Sequence, residues 1–68
     1  MATQAEDLPF TVEEWDAAGN VISRVLARAC NVVIARGAYE AARRQYPDAN
    51  LALRVGVRVI EATRNERA

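Results

Sequence analysis

The chain contains no histidine and no lysine, and its single cysteine, Cys30, has no second thiol to pair with. Each lack removes a class of chemistry. Without histidine, the Ser-His and Cys-His nucleophile pairs and His-ligated metal sites are absent. One cysteine allows no internal disulfide and is a poor start for a zinc site. No glycine-rich phosphate-binding motif and no Cys-x-x-Cys pair occurs. The longest apolar stretch, around Val32–Ala35, is far short of the roughly 20 residues that span a bilayer. Met1–Asp7 has neither a basic start nor an apolar run, so it does not read as a signal peptide. A soluble cytoplasmic protein is expected, with no membrane partner.

What remains is a chain of 68 residues, 51% of them hydrophobic. That is one small domain with enough apolar content for a core. A domain of this size buries only about 60% of the surface its unfolded chain exposes, so its stability is marginal. Small domains gain stability from disulfides, metals or oligomerisation. The composition supports only the last of these.

The net charge is zero, but it is unevenly spread. Residues 1–20 carry Glu6, Asp7, Glu13, Glu14 and Asp16 and no basic residue. Residues 21–68 carry all nine arginines against Glu40, Asp48, Glu61 and Glu66. The two parts can neutralise each other on folding or pair between subunits. A basic set made only of arginine is what the codons of a GC-rich genome favour.

Residues 1–9 read as a flexible tail, residues 10–62 as the domain and residues 63–68 as a frayed end. Phe10–Trp15 (FTVEEW) is rich in β-formers. Gly19-Asn20 then suits a hairpin turn. Val21–Ala29 fits a strand, with Ile22, Arg24, Leu26 and Arg28 on one face. It also fits a helix, in which Ile22, Val25, Leu26, Ala29 and Val33 form a stripe. The helix would run on into the next segment as a rod of about 25 residues, beyond the usual range, so the strand is the preferred reading. Asn31–Gln45 is a helix with Asn31 as N-cap and an apolar stripe of Val32, Ala35, Ala38, Tyr39, Ala42 and Tyr46. Glu40 is spaced to pair with Arg36 and Arg44. Gly37 suggests a close approach of this helix to the sheet. Pro47 ends the helix. Leu51–Ile60 (LALRVGVRVI) alternates as one half-buried strand, with Leu51, Leu53, Val55, Val57 and Val59 inward.

These elements predict an α+β domain in the order strand-strand-helix-strand. Its three-stranded sheet, in spatial order 2-1-3, has one helix packed on one face. The last strand is expected to run parallel to the second through the helical crossover. The other face is expected to stay open. Strand alternation then places Trp15, Ile22, Leu26 and Ile60 on the open face as a candidate protein interface. It places Arg24, Arg28, Arg54 and Arg58 there as charged contacts, with Glu13 between their rows and able to pair with them.

Three functions compete for these residues. Catalysis is disfavoured: Cys30 reads as a small buried hydrophobe, adjacent Glu13 and Glu14 point to opposite faces of a strand, and the chain has little room for a pocket of about 300 Å³. Neither a cofactor nor a metal is expected. Four arginines with Trp15 could bind nucleic acid, but the zero net charge and the acidic strand between the arginine rows argue against a general phosphate binder. Tryptophan and large aliphatics mixed with arginine match protein interfaces. The expectation is a small accessory protein that acts through protein–protein contacts, as a homodimer or on another protein. A nucleic-acid-binding regulator is the alternative.

Ala35-Arg36-Gly37-Ala38-Tyr39-Glu40-Ala41-Ala42, followed by Leu53–Ile60, resembles short uncharacterised proteins of GC-rich bacteria and their prophages. The resemblance covers about half of the chain. It implies no activity and points to a bacterial or phage-related accessory role.

Overall fold

The computed structural model describes residues 8–63, and the end segments 1–7 and 64–68, where most of the two expected tails fall, lie outside it. The described chain is α+β, with strands β1 (Phe10–Trp15) and β2 (Ile22–Ala29), helix α1 (Val32–Gln45), and strands β3 (Asn50–Val55) and β4 (Arg58–Ala62). The sheet is antiparallel throughout, in the order β2-β1-β3-β4. The expected order of the first three strands holds, and β3 runs in the direction of β2. The expected count of three strands does not.

The difference lies in the segment read as one strand, Leu51–Ile60. Its alternation is real as far as Val55, and Leu51 and Leu53 are buried. Gly56 then adopts φ +60°, and the chain reverses through Gly56-Val57 so that Val55 pairs with Arg58. A two-residue loop with positive φ at its first position alone has the pattern of a II′ hairpin turn, which favours glycine there. Val57, assigned inward by alternation, is at the loop tip and 95% exposed.

The other elements have local causes. Gly19, with φ +77°, allows the β1–β2 turn. The Asp16 carboxylate closes that turn by accepting from the Asn20 N–H at 2.8 Å. The Asn20 N–H lowers the Asp16 pKa; slight desolvation opposes it, and the Val21 and Gly19 N–H groups add to the lowering. Asn50 Nδ2 donates to the carbonyls of Asp16 (2.9 Å) and Ala17 (3.2 Å), which ties the turn to the start of β3. The segment that could be read as strand or helix is a strand over Ile22–Ala29. Asn31 caps α1 by accepting from the Ile34 N–H at 2.9 Å. Before Pro47, Tyr46 closes the helix with its N–H bonded to the Ala42 carbonyl at 2.8 Å. The Thr63 hydroxyl, itself buried, accepts from the Leu51 N–H (3.0 Å) and donates to the Ala49 carbonyl (3.3 Å). No helix among the described residues is long and apolar enough to cross a membrane.

The core lies between α1 and one side of the sheet. Val12, Leu51, Leu53 and Ala29 meet Ala35, Tyr39 and Ala42. Burying a large apolar side chain contributes about 1.5–3 kcal/mol. With few such residues, the core is small.

Three expectations about side chains are corrected. Glu40 pairs with Arg43 at 3.2 Å, while Arg36 reaches across to Glu61 on β4 at 3.1 Å. The sheet edge offers Arg36 a carboxylate, so the i,i+4 pairs do not form. Cys30 is exposed, because it lies in the short link between β2 and α1. Gly37 is exposed and nothing lies within 4 Å of where its Cβ would sit, so it serves no close approach. The helix lays Ala35, Tyr39 and Ala42 on the sheet, and Gly37 falls on the opposite side.

These two glycines separate in a stability measurement. Gly37→Ala is expected to raise unfolding stability by about 0.5–1 kcal/mol, the helix-propensity difference. Gly56→Ala is expected to lower it by about 1–2 kcal/mol, because a side chain is strained at positive φ. Urea midpoints at constant slope check both. A lowered midpoint for Gly37→Ala would show that this helix face is not free.

Candidate functional site

Val12 and Leu53 are cross-strand partners buried under α1, so Thr11, Glu13 and Trp15 of β1 point away from the helix. Residues paired with them share that face. Three rows result. Ile22, Trp15 and Asn50 form the first; Val25, Glu13, Ala52 and Ala62 the second; Arg28, Thr11, Arg54 and Val59 the third. Among the described residues no element packs on this side, and Ile22, Val25 and Val59 are 40%, 45% and 49% exposed.

Glu13 stands near the middle of this face, yet it is only 2% exposed. Its carboxylate is gripped by Arg54 at both oxygens: Nε donates to Oε1 at 2.8 Å, and an η nitrogen donates to Oε2 at 2.7 Å. Thr11 Oγ1 donates to Oε2 at 3.0 Å and Trp15 Nε1 to Oε1 at 3.2 Å. The guanidinium carbon of Arg54 lies 5.9 Å from the centroid of the Trp15 ring, within cation–π range. Four donated hydrogen bonds suit a carboxylate's lone pairs. No buried side-chain polar atom of the described residues lacks a partner.

Burial by itself raises the Glu13 pKa. The hydrogen bonds from Arg54 and Thr11, the guanidinium charge and the Trp15 N–H together outweigh it and hold the carboxyl below its ordinary value. Arg54 is correspondingly pushed up by its bond to Glu13, against some desolvation and with help from the carboxylate charge.

Of the residues assigned to this face from sequence, Trp15, Ile22, Glu13, Arg28 and Arg54 lie on it. Leu26 and Ile60 pack instead against the core. Arg24 pairs with Glu14 on the helix side (2.7 Å), with its guanidinium carbon 5.0 Å from the centroid of the Tyr46 ring. Arg58 pairs across the sheet with Val55, on the face opposite Arg54. The four arginines therefore do not form one array. The causes are the reversal at Gly56-Val57, which turns Arg58 to the face opposite Arg54, and three bulges. Ser23 and Leu26 have no partner on β1, and Ile60 has none on β3. Each extra residue shifts the two-residue alternation by one. The Leu26 bulge brings Val25 to the open face, and the reversal at Gly56-Val57 brings Val59 there opposite Arg54. The II′ turn at Gly56 was open to recognition in the sequence, but the bulges have no comparable signature.

The face also contains a hollow of about 440 Å³ bordered by Trp15, Asn50, Ala52, Val59 and Ala62. A second, of about 400 Å³, lies by Phe10, Val55, Arg58 and Ile60. In volume, the chain thus has more room than its length suggests. Among the described residues, no group of three or more histidine, cysteine, aspartate or glutamate side chains could hold a metal ion.

Because Glu13 is held below its unfolded value, its ion pair stabilises the fold fully above about pH 4.3. That contribution is lost as pH falls through the native value. Glu13→Gln is expected to cost about 2 kcal/mol at pH 7, between exposed and buried pairs because Arg54 keeps some solvent contact. The gap from the parent should close towards pH 2, measured by urea unfolding across pH. A gap independent of pH would show that charge is not its source. No protein-family model, curated protein or solved structure matches the chain.

Proposed function

We propose that this protein is a non-enzymatic binding module that acts through protein–protein contacts made by the helix-free face of its sheet. The observation that carries this reading is the side-by-side exposure of Ile22, Val25 and Val59 around the satisfied Glu13–Arg54–Trp15 cluster. Single exposed aliphatics are ordinary on a protein surface. Several on one face, around a tryptophan and a held arginine, have the composition of an interface core. A nucleic-acid role has less support. Arg54 is committed to Glu13, Arg24 and Arg58 face the other way, and Arg28 is left as the face's uncommitted arginine among the described residues.

The test compares the parent with the double variant Val25→Glu, Val59→Glu, both at exposed positions. Tagged proteins in source-cell extract are separated by native size, with circular dichroism as the control for folding. The parent is expected in assemblies larger than the variant's. Equal sizes would overturn the reading, and loss of the parent's assemblies on nuclease treatment would favour nucleic acid.

A further inference from the structure

We infer that the occupant of this face is a second copy of the chain, docked face to face about a two-fold axis parallel to the strands. The inference rests on the binding-module reading and adds the partner and its register. Three features of the face argue for it.

The first is shape. The bulky exposed side chains Ile22 and Val25 stand on β2, at one edge. The hollow of about 440 Å³ is lined mostly from β3 and β4, by Asn50, Leu51, Ala52, Val59 and Ala62, with Trp15 and Gly19 completing it from the β1–β2 end. A two-fold axis in the plane of the interface and along the strands turns one sheet over. It sets β2 of each copy above β4 of the other and keeps each row over its own row. Val25 of one copy then enters the hollow at Ala62 of its partner, and the same contact recurs by symmetry. An isologous interface requires such self-complementarity.

Charge is the second. A face of strong single sign would repel its own copy. Here the central charges, Glu13 and Arg54, cancel each other. Glu13 is already desolvated and fully bonded, so covering it adds little desolvation penalty. Arg28 lies on the edge strand, where its head can remain in water.

Area is the third. Four strands span about 19 Å, and six residues of strand about 20 Å. Corrugated by side chains, such a face offers roughly 600 Å² per copy, or about 1,200 Å² for a pair. That is the lower end of specific interfaces. Weak and transient contacts fall at that end, so a dissociation constant in roughly the micromolar range is expected.

Sedimentation equilibrium on purified protein tests the inference, from about 1 to 500 µM to bracket that range. The mass is expected to rise from the 7.5 kDa of one chain towards twice that value. Val25→Glu and Ala62→Arg, each alone, are expected to weaken the dimer at least about ten-fold. Mixed together they are expected to recover association, because the new carboxylate and guanidinium meet across the interface. Val59→Arg, at a more exposed position, replaces Ala62→Arg if that variant misfolds; it is expected to weaken the dimer similarly. Val33→Glu, on the outer side of α1, is expected to change nothing. A monomer at 500 µM overturns the inference and leaves the binding-module reading to its own test in extract. A dimer untouched by the face variants, or one broken by Val33→Glu, overturns it by placing the contact elsewhere. No recovery on mixing, with both variants folded, overturns the register.

Discussion

One fourteen-residue helix packs on one side only of a four-stranded sheet, chiefly against β1, β2 and β3. That constraint divides the molecule. On the helix side, Tyr39, Leu51, Leu53 and Val12 are almost fully withdrawn from water, and small alanines let the helix lie close. The other side has no comparable apolar cover among the described residues, so its order rests on polar chemistry. Glu13 accepts four hydrogen bonds from three side chains and fixes the rotamers of Arg54 and Trp15 as it does so. An ion pair with one partner this buried is a modest source of stability, because desolvation offsets much of the attraction. Its larger effect is to define a surface. Without the carboxylate, Arg54 and Trp15 would have no common anchor.

The uneven charge along the chain is resolved by topology. The acidic β1 lies between β2 and β3, both of which carry arginine. Glu14 pairs outward to Arg24 on one neighbour and Glu13 to Arg54 on the other, on opposite faces. Adjacent glutamates thus serve both strands and both sides, as the period-two geometry of a strand requires. Glu61 extends the pattern by tying β4 to the helix through Arg36. The exposed pairs among these contribute little each. Their placement opposes alternative pairings, since a one-residue slip of β1 would move both carboxylates to the wrong faces.

Element types were legible in the sequence, and phase was not. The helix, its cap at Asn31 and its stop before Pro47 follow from local chemistry that tertiary structure leaves intact. The central place of β1 follows from the crossover. Alternation located the buried Leu51 and Leu53 but ran on through Gly56, where a glycine inside a long regular strand marked the reversal. The candidate face was half legible for a similar reason. Trp15, Glu13 and Arg54 sit on stretches of β1 and β3 that keep a regular mutual register. Leu26 and Arg24 sit on edge strand β2, where a bulge resets the alternation, and Arg58 and Ile60 follow the reversal at Gly56; Ile22 keeps its assigned face because two bulges cancel. A central strand is held from both sides and must keep its period, whereas an edge strand is held from one side and can absorb an extra residue.

The bulges also bear on which surface is available for contact. An open sheet with two exposed edges could lengthen by adding strands, and bulged edges oppose that outcome. Both edges here are bulged, and β2 carries two arginines and no acidic residue. Edge-to-edge growth is therefore discouraged at β2 by shape and by charge. The bulge at Leu26 also carries Val25 onto the open face from the phase that simple alternation would assign it, while Val59 arrives there through the turn at Gly56. The Leu26 bulge thus blunts an edge and enriches the face, and bulged edges oppose strand addition while leaving the proposed face-to-face contact open.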